Sequence, residues 1–343
     1  MARILLTQAI HPQAQARLAE LGEVLVAPDT QADTLRRSAA GCEVVVVRAQ
    51  LPDDIFTAAP SLVGAVRHGA GVDMIPIAAA IASGVLVANV PGVNANAVAE
   101  HVLRSMLALA RNSAPMALRL RQRGAGWALA RAWSDGGFEL AGRTVGLVGF
   151  GHVGQAIARI CVQGFGMRVL THTRAALLAT TSATAAGSPP PPIPSLPAIA
   201  TRVLLPELLA QSDFVVLACP LTDETRGLLG AAQLALMRSG SFLVNVARGP
   251  VVVQDALVAA LQSGHLAGAA LDVFDTIPVP DDHPYWQMEN VLLTPHVAGI
   301  TDDSMLAMGY GVAQAVAHLL RGEVPPHCIN PQAAAAFMRR RSA

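Results

Sequence analysis

Glycines at 149, 151 and 154, an arginine at 248 and a histidine at 296 are the residues of this 343-residue chain best suited, by type and spacing, to chemistry. The glycines follow Val145, Leu147 and Val148 and precede Ala156, Ile157 and Ile160 at helical spacing, so the segment reads as strand, tight turn, helix. Such a turn lets main-chain N–H groups approach a diphosphate, whose charge the positive end of a helix favours. Gly149 serves the turn, Gly151 the close approach and Gly154 the packing of helix on strand, with His152 and Val153 inside the same loop. Arg248 follows FLVNVA and His296 follows VLLTP, each just past an expected strand, where an open parallel sheet places its ligands. A guanidinium can grip the carboxylate and carbonyl oxygens of a 2-keto acid while an imidazole supplies the proton as hydride arrives. Taken singly, Arg248 could equally pair with a surface acid and His296 cap a loop.

Positioning these groups requires alternating strands and helices. Apolar runs at 4–6, 24–26, 44–47, 64–66 and 85–88 alternate with helical patterns such as 12–21 and 76–82, a small βα domain. Residues 98–109 predict a long apolar-faced helix. Six further strands are expected at 144–148, 167–170, 214–218, 242–245, 269–273 and 291–294, enough for a dinucleotide-binding sheet. An amphipathic helix over 304–320 is expected to return to the first domain. The fold class is therefore α/β with two doubly wound parallel sheets: residues 1–97 with 300–343, and residues 98–299. The stretch 180–197, TTSATAAGSPPPPIPSLP, is proline-rich and uncharged and reads as an inserted surface loop, a docking role for the 189–192 prolines being the alternative.

Composition narrows the partners. Basic and acidic residues both number 24 and no basic stripe precedes Arg339, Arg340 and Arg341, so nucleic acid is not expected. The chain has no lysine, which excludes a Walker lysine, a lysine Schiff base and a lysine general base. Four dispersed cysteines, Cys42, Cys161, Cys219 and Cys328, predict isolated thiols in a reducing compartment, the cytoplasm, rather than disulfides or a zinc site. No metal is expected. No apolar run has membrane-spanning length, and the N-terminal ARILLTQ is too short for a signal peptide core.

The chain resembles the D-isomer-specific 2-hydroxyacid dehydrogenases along nearly its whole length. The resemblance is carried by HGAGVDMI at 68–75, VPGVNANAVAEHVL at 90–103, the glycine segment at 146–154, CPLTDETRGL at 219–228, VNVARG at 244–249, HLAGAALDVF at 265–274 and LLTPHVAG at 292–299. It implies a Rossmann-type nucleotide domain inserted in a smaller, flavodoxin-like substrate domain that the C-terminal helix completes. It further implies an oxidoreductase acting on a small 2-keto or 2-hydroxy acid such as glyoxylate or hydroxypyruvate. Arg248 then matches the carboxylate-binding arginine, His296 the acid/base histidine, and the main chain at Ala70 and Gly71 the substrate-anchoring loop. Cys219, Pro220, Ala247 and Asp272 fall among the expected cofactor contacts, Asp272 toward the nicotinamide carboxamide, with capping of its own turn as the rival role. A homodimer is implied through residues 98–138, with Leu118, Trp127 and Trp133 as candidate contacts and ordinary core as their alternative.

Two departures from the family stand out. The glutamate that normally lies five residues past the DVF aspartate and raises the pKa of the histidine is here Ile277, which predicts an acid-shifted, weaker reduction unless Asp275 or Asp282 takes its place. It also keeps open a nucleotide-binding regulatory relative with little activity. Nineteen positions past Gly154, where NAD-selective sites carry an acid, stand Thr173 and then Arg174, which suit a 2′-phosphate and predict NADP(H). If Arg174 points to solvent, NAD(H) is the alternative.

Overall fold

Strands built almost wholly from buried residues are the mark of a sheet covered on both faces. Val44–Val47 is four valines with every residue buried, and Thr144–Val148, Phe214–Leu217 and Ser241–Asn245 are buried throughout. The computed structural model describes residues 1–173 and 199–342. The chain folds as two units, Met1–Asn94 with Ile300–Ala343, and Ala95–Gly299. The 180–197 insertion and Arg174 lie outside the described residues.

The first unit holds β1 (Arg3–Leu6), β2 (Glu23–Val26), β3 (Val44–Val47), β4 (Gly64–Arg67) and β5 (Leu86–Ala88). They form a parallel sheet in the order β2-β1-β3-β4-β5. One face is covered by the helix Asp302–Leu320, whose Val312, Val316 and Leu319 pack on Ile4, Leu6, Val44 and Val66. That helix starts where Thr301 accepts from the Ser304 N–H and the Ser304 hydroxyl answers the Thr301 N–H, a reciprocal cap. Farther along, the buried Asn330 side chain accepts from Val87 N at 2.8 Å and donates to Val85 O at 2.9 Å, so the chain's last segment is tied into β5.

The second unit carries β6 (Thr144–Val148), β7 (Arg168–His172), β8 (Thr201–Arg202), β9 (Phe214–Leu217), β10 (Ser241–Asn245), β11 (Leu266–Leu271) and β12 (Val291–Leu293). All pairs are parallel, in the order β12-β11-β10-β9-β6-β7-β8. Seven strands stand where six were expected. β8 is only two exposed residues long, too short to leave an apolar signature. β7 also runs two residues past the expected 167–170, because Thr171 is fully buried and spends its hydroxyl on Leu147 O at 3.2 Å. A threonine satisfied in this way extends a strand beyond its apolar run.

Candidate active site

The glycine turn leaves β6 with Gly149 at φ +100°, a left-handed geometry that disfavours any side chain. A Cβ there would lie 2.7 Å from Ala218 O and 2.8 Å from Cys219 N, while one at Gly151 would meet nothing within 4 Å. Gly154 is the packing position: its Cβ would come within 2.5 Å of Gly149 O. The helix His152–Phe165 begins at this point, with no acid in its first turn. His152 and Val153 are thus its first two residues, beside an open glycine where backbone can approach a ligand. These are the properties a diphosphate cradle needs, and the residues fit a dinucleotide. Gly149 N also donates to His172 O at 2.8 Å, which fastens the turn to the end of β7, one residue before Thr173. Cys219 and Pro220 open the loop after β9, where Thr225 Oγ1 donates to Pro220 O at 2.7 Å and accepts from Thr222 N at 2.7 Å.

Arg248, Asp272 and His296 follow the three adjacent parallel strands β10, β11 and β12, so all three lie beyond the same carboxyl edge as the glycine turn. Arg248 is held by its own turn. Asn245 accepts from Ala247 N at 3.0 Å and donates to Arg248 O at 3.1 Å, and Arg248 Nη1 donates to Ala247 O at 2.8 Å. Gly249 lets this turn lie flat on the chain after β11, since a Cβ there would overlap the main chain of Phe274.

Asp272 is 2% exposed and organises the segment that carries His296. Its Oδ1 accepts from Thr294 Oγ1 at 2.6 Å and Val297 N at 2.9 Å, and its Oδ2 accepts from Ala298 N at 2.9 Å. His296 sits within that pinned loop at φ +57°, its N–H on Thr294 O at 3.0 Å, with its ring at an exposed position. His101, from the helix Ala95–Ala110, reaches Thr294 Oγ1 at 3.4 Å. Burial holds the His101 imidazole below the ordinary histidine range against the pull of the Asp272 charge, with Arg104 adding to the lowering. In the sequence Thr294 and Asn245 read only as strand ends. The cue was their polarity where apolar runs stop, which alone does not say what a side chain will bond.

Asp272 therefore pins the 294–298 segment, a contact distinct from capping its own turn. With three donors on two oxygens, a carboxylate keeps about one of its four acceptor positions for anything else. Ile277 is 67% exposed, and burial raises the pKa of the Asp275 carboxyl against the opposing charge of Arg226.

In the first unit, the main chain at Ala70 and Gly71 is held through its carbonyls: Asn89 Nδ2 donates to Ala70 O at 2.6 Å and Arg67 Nε to Gly71 O at 3.0 Å. Arg67 Nη1 also donates to Val47 O and His68 O at 2.8 and 2.7 Å, so one guanidinium braces the whole turn. His68 is 3% exposed beneath it.

Residues 103–298 match the profile of the D-isomer specific 2-hydroxyacid dehydrogenase, NAD binding domain. The chain belongs to that family. This 2-hydroxyacid dehydrogenase is 36% identical over 294 residues to a glyoxylate reductase of Pyrococcus furiosus, covering 84% of this chain and 82% of the relative. It is 35% identical over 336 residues to a D-3-phosphoglycerate dehydrogenase of Methanocaldococcus jannaschii, which covers 96% of this chain but only 60% of that longer protein. Among solved structures, the NADPH-dependent glyoxylate/hydroxypyruvate reductase of Sinorhizobium meliloti in complex with NADP and malonate superposes with a TM-score of 0.78 at 29% identity, covering 96% and 97% of the two chains. The dehydrogenase is an oxidoreductase acting on a CH–OH group with a nicotinamide dinucleotide.

Proposed function

We propose that the chain reduces a small 2-keto acid, glyoxylate or hydroxypyruvate, to its D-2-hydroxy acid with NADP(H). The observation that carries this reading is the placement of Arg248 and His296 after β10 and β12, the two parallel strands that flank β11, on the sheet edge that also bears the glycine turn. The names of the reductases from Pyrococcus and Sinorhizobium support the substrate class.

The glycine turn with His152 and Val153 would hold the diphosphate, Thr173 and Arg174 the 2′-phosphate, and Cys219, Pro220, Ala247 and Asp272 the remainder of the dinucleotide. The nicotinamide, when bound, supplies the hydride. Arg248 presents a planar pair of N–H donors to the substrate carboxylate and draws electron density from the carbonyl. For the main chain at Ala70 and Gly71 the family resemblance implies a substrate-anchoring role. The protonated His296 gives its proton to the carbonyl oxygen as the C–H bond forms, and is left neutral with a hydroxyl product. A glutamate at 277 would favour the protonated ring, and with Ile277 in its place activity is confined to lower pH.

We further propose a homodimer through residues 98–138, supported by exposed Leu118 and Trp127, whereas Trp133 is half-buried. Cytoplasmic residence is supported by four cysteines that form no disulfide with one another. Among the described residues no helix is long and apolar enough to cross a membrane.

The test is a panel of C2 to C4 2-keto acids with NADPH and NADH across pH. Reduction of glyoxylate or hydroxypyruvate is expected, with NADPH preferred and with loss of about 10²- to 10⁴-fold in kcat on His296→Ala. Ile277→Glu is expected to carry the basic limb of the profile upward. Absence of turnover with every keto acid would overturn the reading.

A further inference from the structure

The cofactor preference proposed above rests on Thr173 and Arg174, and a second arginine reaches Thr173 from a different strand. Gly149 N on His172 O joins the diphosphate turn to the last residue of β7, so Thr173, the first residue past β7, lies beside the place an adenosine ribose takes in such a fold. One strand outward, β8 pairs in parallel with β7 in the register Leu170 with Thr201 and Thr171 with Arg202. The Val203 N–H bonds Thr171 O at 2.9 Å and Val203 O faces His172 Nδ1 at 3.3 Å, which continues this pairing to the end of both strands. From its register position opposite Thr171, Arg202 extends toward the carboxyl edge and donates Nη2 to Thr173 O at 2.8 Å. The guanidinium is therefore held two residues beyond its own backbone level, over the first residue past β7.

The chemistry of that position is one-sided. Arg202 is exposed, and among the described residues its only partner is the Thr173 carbonyl. One of five guanidinium N–H donors is used there, and the others remain for a ligand. No Asp or Glu occurs between Glu139 and Glu207, so this stretch brings no carboxylate to accept from ribose hydroxyls or to repel a phosphate. A guanidinium seated by a carbonyl, exposed and without a carboxylate, suits a phosphate monoester.

We infer that Arg202 is a specificity-determining residue, its guanidinium pairing with the 2′-phosphate of NADP(H). The inference rests on the NADP(H) reading, and its test separates the two. Isothermal titration of the full chain with NADPH, NADH, 2′,5′-ADP and 5′-AMP is compared for wild type, Arg202→Gln and Arg202→Lys. Arg202→Gln is expected to weaken NADPH and 2′,5′-ADP by about ten- to a hundredfold while NADH and 5′-AMP stay within about twofold, as loss of a charge-assisted bond predicts. Arg202→Lys keeps most of the 2′-phosphate affinity. Equal weakening of all four ligands would make Arg202 a brace for Thr173 and overturn the inference. A wild type that prefers NADPH, with a ratio unmoved by Arg202→Gln, overturns it while sparing the NADP(H) reading. A wild type that binds NADH as tightly as NADPH overturns both.

Discussion

At the residue scale, Asp272 shows how a buried charge is made tolerable. Its carboxylate is out of solvent, yet each oxygen is occupied by donors of the 294–298 segment. Asp272→Asn would turn an N–H group toward a main-chain N–H, and a buried donor left without an acceptor costs about 1–3 kcal/mol. We expect a Tm lowered by about 4–8 °C for a 2 kcal/mol loss in a unit of this size. A larger fall in kcat than in NADPH affinity should accompany it, because the pin holds the His296 loop. His68 gives the second prediction. Burial, with Arg48 and Arg67 nearby, lowers its pKa to about 4, so the ring is neutral in the fold at neutral pH. Its Nε2 has no hydrogen-bond partner among the described residues. The unfolded chain takes up a proton near pH 6.5 and the folded one only near 4, so this contribution is intact above about 6.5 and is lost as pH falls between the two values. His68→Gln should remove up to about 3 kcal/mol of acid destabilisation, read as a smaller drop in Tm from pH 7.5 to 4.5 than in wild type.

At the scale of elements, the turn after β10 and the chain after β11 behave as one piece, since Gly249 leaves no room between them. Gly249→Ala should cost about 1–3 kcal/mol by overpacking and raise KM for the keto acid, measured by thermal melts and initial rates. The same scale explains what was legible in advance. Glycines 149, 151 and 154 announced their turn because conformational freedom is written in residue type. The buried valine and leucine runs announced the strands because parallel sheets leave no polar face to confuse them. β8 and the tail of β7 were not legible: Thr171 and Arg202 are polar, and only pairing with neighbours makes them strand. The pin on Thr294, Val297 and Ala298 escaped for a related reason. Two of its three donors are main-chain N–H groups, which every residue but proline possesses.

At the scale of the whole molecule, the short helices Ser113–Leu120 and Gly126–Trp133 together leave four large apolar side chains in solvent, Leu118, Leu120, Trp127 and Leu129 being 54%, 46%, 74% and 49% exposed. Large apolar side chains gathered on adjacent helices favour association. Sedimentation of the wild type should show a dimer, and Trp127→Glu should shift it toward monomer with its circular dichroism unchanged. The tie between Asn330 and β5 has a consequence for birth on the ribosome. Val85 and Val87 emerge some 240 residues before the amide that bonds them, and their sheet also awaits the helix Asp302–Leu320. The half of the chain made first must therefore wait, sticky and incomplete, while Ala95–Gly299 emerges as a continuous stretch with its own apolar cores. A nascent chain stalled before the codon for Asn330 would leave the valines of β3 and Val87 of β5 open to chaperones even though the whole of Ala95–Gly299 had already been made.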